Sequence, residues 1–271
     1  MPSIPSLQQT PSARRAAAND RDPAFATTLA RGLGMLEAFR AGEEKLGNSE
    51  LAARTGLSRP TVTRLAQTLT ELGYLQREGN KYRPGVRVLS IAHPLLAGLR
   101  VRQLARPMMT ELSAQLRSAV SLGTIDGLDA IYIETSRSAD PHPLSPDIGS
   151  ATPLAQSATG RALLSMLPDD EFRAFGIRLR KERPDQWRAW WKKSIEGVEQ
   201  CRARGFCTAK GDYRGELHGL ATPLMRTRSG RLLSLNCGIS AFRLRPGQLE
   251  DEIGPRLVAL AGAIRALAAN T

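Results

Sequence analysis

Apolar residues between positions 25 and 42 recur every three to four residues, a period that predicts an amphipathic helix. The segment FATTLARGLGMLEAFRAG carries this pattern and ends at Gly42, a residue typical of helix ends. The face predicted to meet a core consists of four residues: Leu29, Leu33, Leu36 and Phe39.

Two further helices are predicted before residue 73. One begins at Ser49, a suitable N-cap, and stops at Gly56, where a positive φ is easily adopted. Ser58 caps the next helix, whose first turn tolerates Pro60, and Gly73 ends it. The apolar side of this third helix comprises Val62, Leu65, Leu69 and Leu72.

The segment YLQREGNKYRP alternates between apolar and polar residues around Gly79 and Asn80, which predicts a short β-hairpin. Three helices followed by a hairpin make a winged bundle of a size that folds by itself.

The pattern changes after residue 85. Residues 86 to 116 are mainly helical, with interruptions expected at Pro94 and Pro107. Two hairpins are then predicted, turning at Asp126-Gly127 and at Ser229-Gly230, and ATGRALLSML and the final segment are predicted helices. The fold class is therefore α+β, with a helical module before a domain built on an antiparallel sheet.

This pattern divides the chain into four parts. The first is a proline- and serine-rich tail without an apolar signal-peptide core, interpreted as disordered. The predicted boundaries are 1–23 for this tail, 24–85 for the winged helix-turn-helix, 86–99 for a linker helix and 100–271 for the second domain.

The composition indicates which binding partners and which cellular compartment suit this protein. The net charge of +12 fits a polyanion such as nucleic acid, although the positive charge is spread along the chain. The three cysteines, Cys201, Cys207 and Cys237, form no CxxC pair, which fits a reducing cytoplasm. No apolar run is long enough for a membrane helix, so we expect a soluble cytoplasmic protein without a membrane partner.

Residues 50 to 72 have the arrangement of a helix-turn-helix. Ala52 permits close helix approach, Gly56 makes the turn, and apolar residues fill the angle between the helices. The exposed helix start can bind a phosphate, and Arg64 and Gln67 can read base edges. The predicted DNA-binding residues are Ser58, Arg59, Pro60, Thr61, Thr63, Arg64 and Gln67, with Arg77, Lys81 and Arg83 on the hairpin. The alternative is a helical bundle whose polar face is merely solvated.

Several segments, in order, resemble the IclR-type transcriptional regulators of bacteria. They are RGLGMLEAF, ELAARTGLSRPTVTRLAQTLTELGYL, YRPGVRVL, ATGRALL and LATPL followed by SGRLLSLNCGIS. The resemblance implies a winged helix-turn-helix joined by a linker helix to a GAF-like effector domain. It also implies a dimer or a dimer of dimers.

The resemblance also implies an effector pocket on one face of the sheet. The matching positions are Ser157, Ala158, Thr159, Gly160, Asp212, Glu216, Gly219, Asn236 and Gly238. Some family members carry a cysteine at the position of Gly219 and a serine at that of Gly238, so this pocket would rely on Asn236 and backbone N–H groups, or hold a larger ligand. Each position also has a plain structural interpretation in a hairpin or a helix cap.

Enzymatic motifs are missing from the sequence. It contains no GxSxG, no P-loop, and no histidine at a metal-ligand spacing; His142 is predicted to lie in a loop. We therefore predict no enzyme, catalytic residue, metal or cofactor. The apolar spacing of Trp187, Trp190 and Trp191 favours helix packing over base stacking.

The combined prediction is a ligand-responsive regulator of a catabolic operon. Its partners would be double-stranded operator DNA, a small organic and possibly aromatic acid, and a second copy of the chain. The alternative is a sensor or scaffold that does not bind DNA, whose helical module docks a protein.

Overall fold

The computed structural model describes residues 10–12, 16, 22–40, 42–139 and 145–269. The chain forms two compact units, Met1–Ala97 and Gly98–Thr271. Much of the predicted tail and the loop residue His142 lie outside the described residues. Within that tail, Thr10 N donates to Arg54 O at 3.2 Å and Ser12 Oγ donates to the Glu37 carboxylate at 2.6 Å.

The N-terminal unit consists of helices and a small antiparallel sheet of order β1-β3-β2. Its elements are α1 (Thr27–Glu37), β1 (Leu46–Gly47), α2 (Asn48–Thr55), α3 (Arg59–Glu71), β2 (Leu75–Glu78), β3 (Lys81–Pro84) and α4 (Val88–Ala97). The predicted helices and hairpin are confirmed, whereas the two-residue strand β1 had no signal in the sequence.

The core of this unit corrects the predicted face of α1. Leu36 and Phe39 pack on the core as expected, but Leu29 is 65% exposed and Leu33 is 44% exposed. The helix instead buries Ala30, Gly34 and Met35. Small residues let the helix approach its neighbours closely, so the rotation that buries them turns the two leucines outward.

Helix ends were predicted with mixed success. Ser58 is the N-cap of α3 and Gly56 adopts φ 69°, as predicted. The N-cap of α2, however, is Gly47 rather than Ser49. Gly47 N donates to Glu50 Oε2 at 2.8 Å, which satisfies a free amide at the helix start and moves that start towards β1.

The C-terminal unit is built on a six-stranded antiparallel sheet of order β6-β5-β4-β9-β8-β7. Its strands are β4 (Ala119–Asp126), β5 (Asp129–Arg137), β6 (Ala151–Pro153), β7 (Cys207–Arg214), β8 (Leu217–Arg226) and β9 (Leu232–Ser240). Its helices are α5 (Arg100–Leu116), α6 (Ala158–Leu164), α7 (Asp169–Glu182), α8 (Pro184–Arg204) and α9 (Gly254–Ala269), the last preceded by a 3₁₀ turn (Ala241–Arg243) and a π-helical turn (Leu249–Ile253). The predicted α+β fold class and both hairpin turns are confirmed.

The two prolines expected to interrupt the helices do not do so. Pro94 lies inside α4 and Pro107 inside α5, and the chain leaves the helix at Gly98 and Leu99 instead. Both prolines are exposed, so water can reach the carbonyl groups whose hydrogen bonds they remove.

Helices cover both faces of the six-stranded sheet. α5 and α9 pack on one face, and α6 packs on the other, where α8 also contacts β7. The predicted packing role of the tryptophans is confirmed, since all three lie against the buried cluster behind α6. Trp191 stacks on Phe172 with ring centroids 4.9 Å apart.

Among the described residues, no helix is long and apolar enough to cross a membrane.

Candidate nucleic-acid interface and ligand site

The outer face of α3 holds the side chains predicted to contact DNA. Val62 and Ala66 of this helix are fully buried in the same core as Leu51 of α2, and their burial fixes the rotation of the helix. Arg59, Pro60, Thr63, Arg64 and Gln67 are exposed together with the cap Ser58, whereas Thr61 is half-buried. The helical period of apolar residues in the sequence was therefore sufficient to predict which face of α3 is exposed.

Local hydrogen bonds arrange the polar groups at the start of α3. Ser58 Oγ and Thr61 Oγ1 lie 2.9 Å apart, and Asn48 Nδ2 of α2 donates to Thr63 Oγ1 at 3.1 Å. Arg59 and Arg64, by contrast, form no ion pair with any described residue. Two unneutralised guanidinium groups therefore stand on the exposed face of the helix.

The hairpin residues differ in how firmly they are held. Arg83 Nε lies 2.9 Å from Glu78 Oε1 and also donates to Gln76, so its charge is partly neutralised. Arg77 Nε donates to Gly79 O at 3.0 Å, and Lys81 is exposed. Arg77 and Lys81 are thus the freer cations of the hairpin.

A second group of predicted residues surrounds the start of α6. Ser157 Oγ accepts from Gly160 N at 3.1 Å and caps this helix. Gly160 is required there, because a Cβ would come within 2.1 Å of Leu154 O. Thr159 Oγ1 lies 3.0 Å from Tyr132 OH, and burial is the main cause that raises the pKa of this tyrosine.

Strand alternation brings Asn236 and Gly238 to the sheet face that meets α6. Ser234 Oγ donates to Thr159 O at 3.3 Å, and residues two and four positions further along β9 share that face. Asn236 is 5% exposed, and its Oδ1 accepts no hydrogen bond from any residue that the structure describes. Native proteins rarely leave such an atom unsatisfied, so a ligand donor is one reason for it.

The carboxylate of Asp212 already has two protein partners. Its Oδ2 lies 2.8 Å from Arg161 of α6, and its Oδ1 accepts from Lys193 Nζ of α8 at 2.5 Å. Arg161 also donates to Ala155 O and Thr208 O, and its side chain is 3% exposed. This ion pair ties the end of β7 to the two helices.

The other predicted ligand residues are not all brought together. Gly219 lies beside α6, where an added Cβ would be 3.5 Å from Ala158 Cβ, and Gly238 lies beside Leu217. Glu216 is exposed at the turn between β7 and β8. His218 alternates with Gly219 along β8 and therefore points to the opposite face.

Three polar residues of the same sheet face were missed by sequence reasoning. Tyr132 contacts Thr159, and Thr135 Oγ1 donates to Ser121 Oγ at 3.0 Å. Ser121 pairs in register with Asn236. Alternation along β4 and β5 is the signal that could have found them, although the register shift at Leu122/Gly123 is not visible in the sequence.

The fold and these surfaces define a two-domain regulator with a winged helix-turn-helix and a separate sensing unit. The IclR helix-turn-helix domain matches residues 28–79, and the IclR C-terminal domain of bacterial transcriptional regulators matches residues 93–266. The chain belongs to the IclR family of transcriptional regulators, which are not enzymes.

Individual proteins extend this match over most of the chain. The Pca regulon regulatory protein of Pseudomonas putida is 29% identical over 250 residues, covering 91% of this chain and 86% of that protein. The crystal structure of an IclR family regulator from Brucella abortus is 31% identical, with a TM-score of 0.76 and coverage of 98% and 99%. An IclR homologue from Microbacterium hydrocarbonoxydans, complexed with 4-hydroxybenzoate, shares the fold at 19% identity, with a TM-score of 0.67 and coverage of 88% and 97%.

Proposed function

We propose that the exposed face of α3 binds double-stranded operator DNA in the major groove. The observation that carries this proposal is the pair of unneutralised guanidinium groups, Arg59 and Arg64, on a helix whose opposite side is buried. Arg64 and Gln67 would contact base edges. Four neighbouring residues would lie beside the sugar-phosphate backbone of the DNA: Ser58, Pro60, Thr61 and Thr63. Arg77, Lys81 and Arg83 would contact neighbouring phosphates.

Within this proposal the DNA-binding domain spans 24–85, the linker helix 86–99 and the effector domain 100–271. Such a regulator acts on the chromosome, and we therefore assign it to the cytoplasm.

The functional unit is proposed to be a homodimer or a dimer of dimers. Ile91 and Leu95, one turn apart on α4, are 57% and 45% exposed, and Leu89 is 69% exposed, so that apolar side chains of this helix are open to a second copy of the chain. A two-fold dimer would place two copies of α3 in successive major grooves of a palindromic site. Sedimentation of a Leu89→Asp variant, which we expect to shift towards monomer, tests this assignment.

The effector is proposed to be a small organic acid, with an aromatic ring as in 4-hydroxybenzoate, bound between α6 and the sheet. Asn236, Thr159 and Tyr132 supply neutral hydrogen-bonding groups on this face, and Gly219 and Gly238 place no side chain beside them. The nearby charge of Arg161 is neutralised by Asp212, so neutral groups would carry most of the recognition. Binding alters DNA affinity only if the effector prefers one arrangement of the domains.

The DNA assignment is tested by selecting duplexes from a random pool and measuring affinity by fluorescence anisotropy at several salt concentrations. We expect a specific site whose affinity falls steeply with salt. Arg64→Ala should weaken binding to that site by about 1–3 kcal/mol. Arg178→Ala, an exposed arginine of α7, is the matched control and should bind normally.

One result would reject this assignment, and another would change the role of Arg64. Recovery of no enriched duplex, with binding insensitive to salt, would favour the alternative in which the helical module docks a protein. Equal losses for Arg64→Ala on selected and random DNA would reduce Arg64 to a phosphate contact.

A further inference from the structure

Two cysteines meet where α8 ends and β7 begins. Cys201 lies in the last turn of α8, and Cys207 is the first residue of β7. Gly205 makes the turn between them with φ 84°, and its N–H donates to Cys201 O at 2.9 Å. This tight reversal places Cys201 and Cys207 in one buried cluster.

The pair is enclosed by small side chains. Cys201 is 4% exposed and Cys207 is fully buried, in a cluster completed by Ala158, Ala162, Ala209 and Ala221. Cys207 Sγ donates to Ala158 O at 3.4 Å, so the pair lies directly beneath the first turn of α6. The remaining cysteine, Cys237, lies on the other face of the sheet, where its thiol is 3.1 Å from Ser118 Oγ.

We propose that Cys201 and Cys207 are an oxidisable dithiol, which a small two-electron oxidant such as hydrogen peroxide converts to an intramolecular disulfide. Cys201, the more accessible thiol, attacks a peroxide oxygen as its thiolate. The O–O bond breaks, leaving a sulfenic acid on Cys201 and releasing hydroxide, which takes up the thiol proton as water. The Cys207 sulfur then attacks the Cys201 sulfur, the S–O bond breaks, and a second water leaves.

The surroundings set the speed of this reaction. The hydrogen bond with Cys201, followed by burial, raises the pKa of the Cys207 thiol well above its usual value. Cys207 is therefore protonated at neutral pH, and oxidation of the folded protein is slow compared with that of an exposed thiolate. Access is nevertheless available, because β7 is an edge strand of the sheet and edges open locally at low cost.

The sequence offers a clean assay for the cross-link. Arg202 and Arg204 lie between the two cysteines, so trypsin separates them unless a disulfide joins the peptides SIEGVEQCR and GFCTAK. The full-length protein is treated with hydrogen peroxide, alkylated in denaturant and digested. We expect the joined peptide, sensitive to dithiothreitol, and an alkylated Cys237.

Cysteine variants distinguish the proposed Cys201–Cys207 disulfide from non-specific oxidation of cysteines. Cys237→Ala should keep the joined peptide, whereas Cys201→Ala and Cys201→Ser should abolish it while remaining folded by circular dichroism. Disulfides between chains or to Cys237 would overturn the proposal. So would a folded protein whose Cys201 and Cys207 stay reduced under conditions that oxidise them in the urea-unfolded chain.

Discussion

Arg161 and Asp212 form an ion pair of 2.8 Å whose side chains are only 3% and 6% exposed. Both residues adjoin the proposed effector site, and the pair links α6 to the strand at the edge of the sheet. Because Asp212 supplies the carboxylate that compensates Arg161, removal of Asp212 leaves this guanidinium group buried and unpaired.

Asp212→Ala is therefore expected to lower the free energy of unfolding by about 3–5 kcal/mol. Urea unfolding followed by circular dichroism measures this loss. Asp185→Ala breaks an exposed pair with Arg188 and should cost about 1 kcal/mol or less. An Asp212→Ala protein that is as stable as its control, yet fails to respond to effector, would assign Asp212 to ligand binding instead.

Gly160→Ala tests the close approach of α6 to the preceding loop. A Cβ at Gly160 would come within 2.1 Å of Leu154 O, so backbone must shift, and we expect a loss of about 3 kcal/mol in unfolding free energy. Gly215→Ala has no atom within 4 Å of the added carbon and should change stability by no more than about 0.5 kcal/mol. Equal stabilities of the two variants would contradict this packing.

Glu43 makes the N-terminal unit sensitive to acid. The hydrogen bond from Arg54, whose NH2 donates at 2.8 Å, lowers the pKa of Glu43 below its usual value. A lowered pKa stabilises the fold above the unfolded-state pKa, and this stabilisation is lost as the pH falls through the folded-state pKa. Glu43→Gln should therefore weaken amide protection in α2 and α3 at neutral pH.

Hydrogen exchange at neutral pH and at about pH 3 compares the variant with the wild-type protein. The difference in protection should shrink as the pH falls through the lowered pKa of Glu43, because the carboxylate of the wild-type protein then takes up a proton. The exposed residue Glu44 provides the control Glu44→Gln, which should match the wild-type protein at both values. A difference that persists in acid would mean that Glu43 acts through packing rather than charge.

Asn236→Ala tests the ligand site with 4-hydroxybenzoate as the probe in calorimetry. Loss of a neutral hydrogen bond should weaken binding about tenfold, while affinity for DNA without the probe is unchanged. Asn80→Ala, in the exposed hairpin turn, is the control. Unchanged affinity in Asn236→Ala would reject Asn236 as a ligand contact, and no binding to the wild-type protein would reject the aromatic acid as effector.

The sequence predicted the structure most accurately where a single helical period of apolar residues and a single core determine it. The third helix and its outward face followed from the apolar spacing around Val62. The first helix was less predictable, because two overlapping sets of residues recur along it with the same helical period. The set that is buried includes the small residues Ala30 and Gly34. Likewise, Ser49 resembled an N-cap, but Glu50 bonded to Gly47 N and decided the helix start.

The proposed ligand site was only partly predictable for a different reason. Its residues come from strands and a helix that are distant in sequence, so family resemblance located Asn236 and Thr159, whereas Tyr132 required the strand register. The same register places His218 on the opposite face. The partners of Asp212 were equally hidden, since Arg161 and Lys193 lie on two different helices.

The packing of the three tryptophans also gives the protein an intrinsic optical signal. Every tryptophan of the chain lies in α8, against the cluster behind α6, and the DNA-binding unit has none. Indole emission therefore reports the environment of the sensing unit, whereas a dye on the DNA reports occupancy of α3. Titrations that record the indole emission and the dye emission simultaneously can separate effector binding from release of the operator, and the protein itself needs no label.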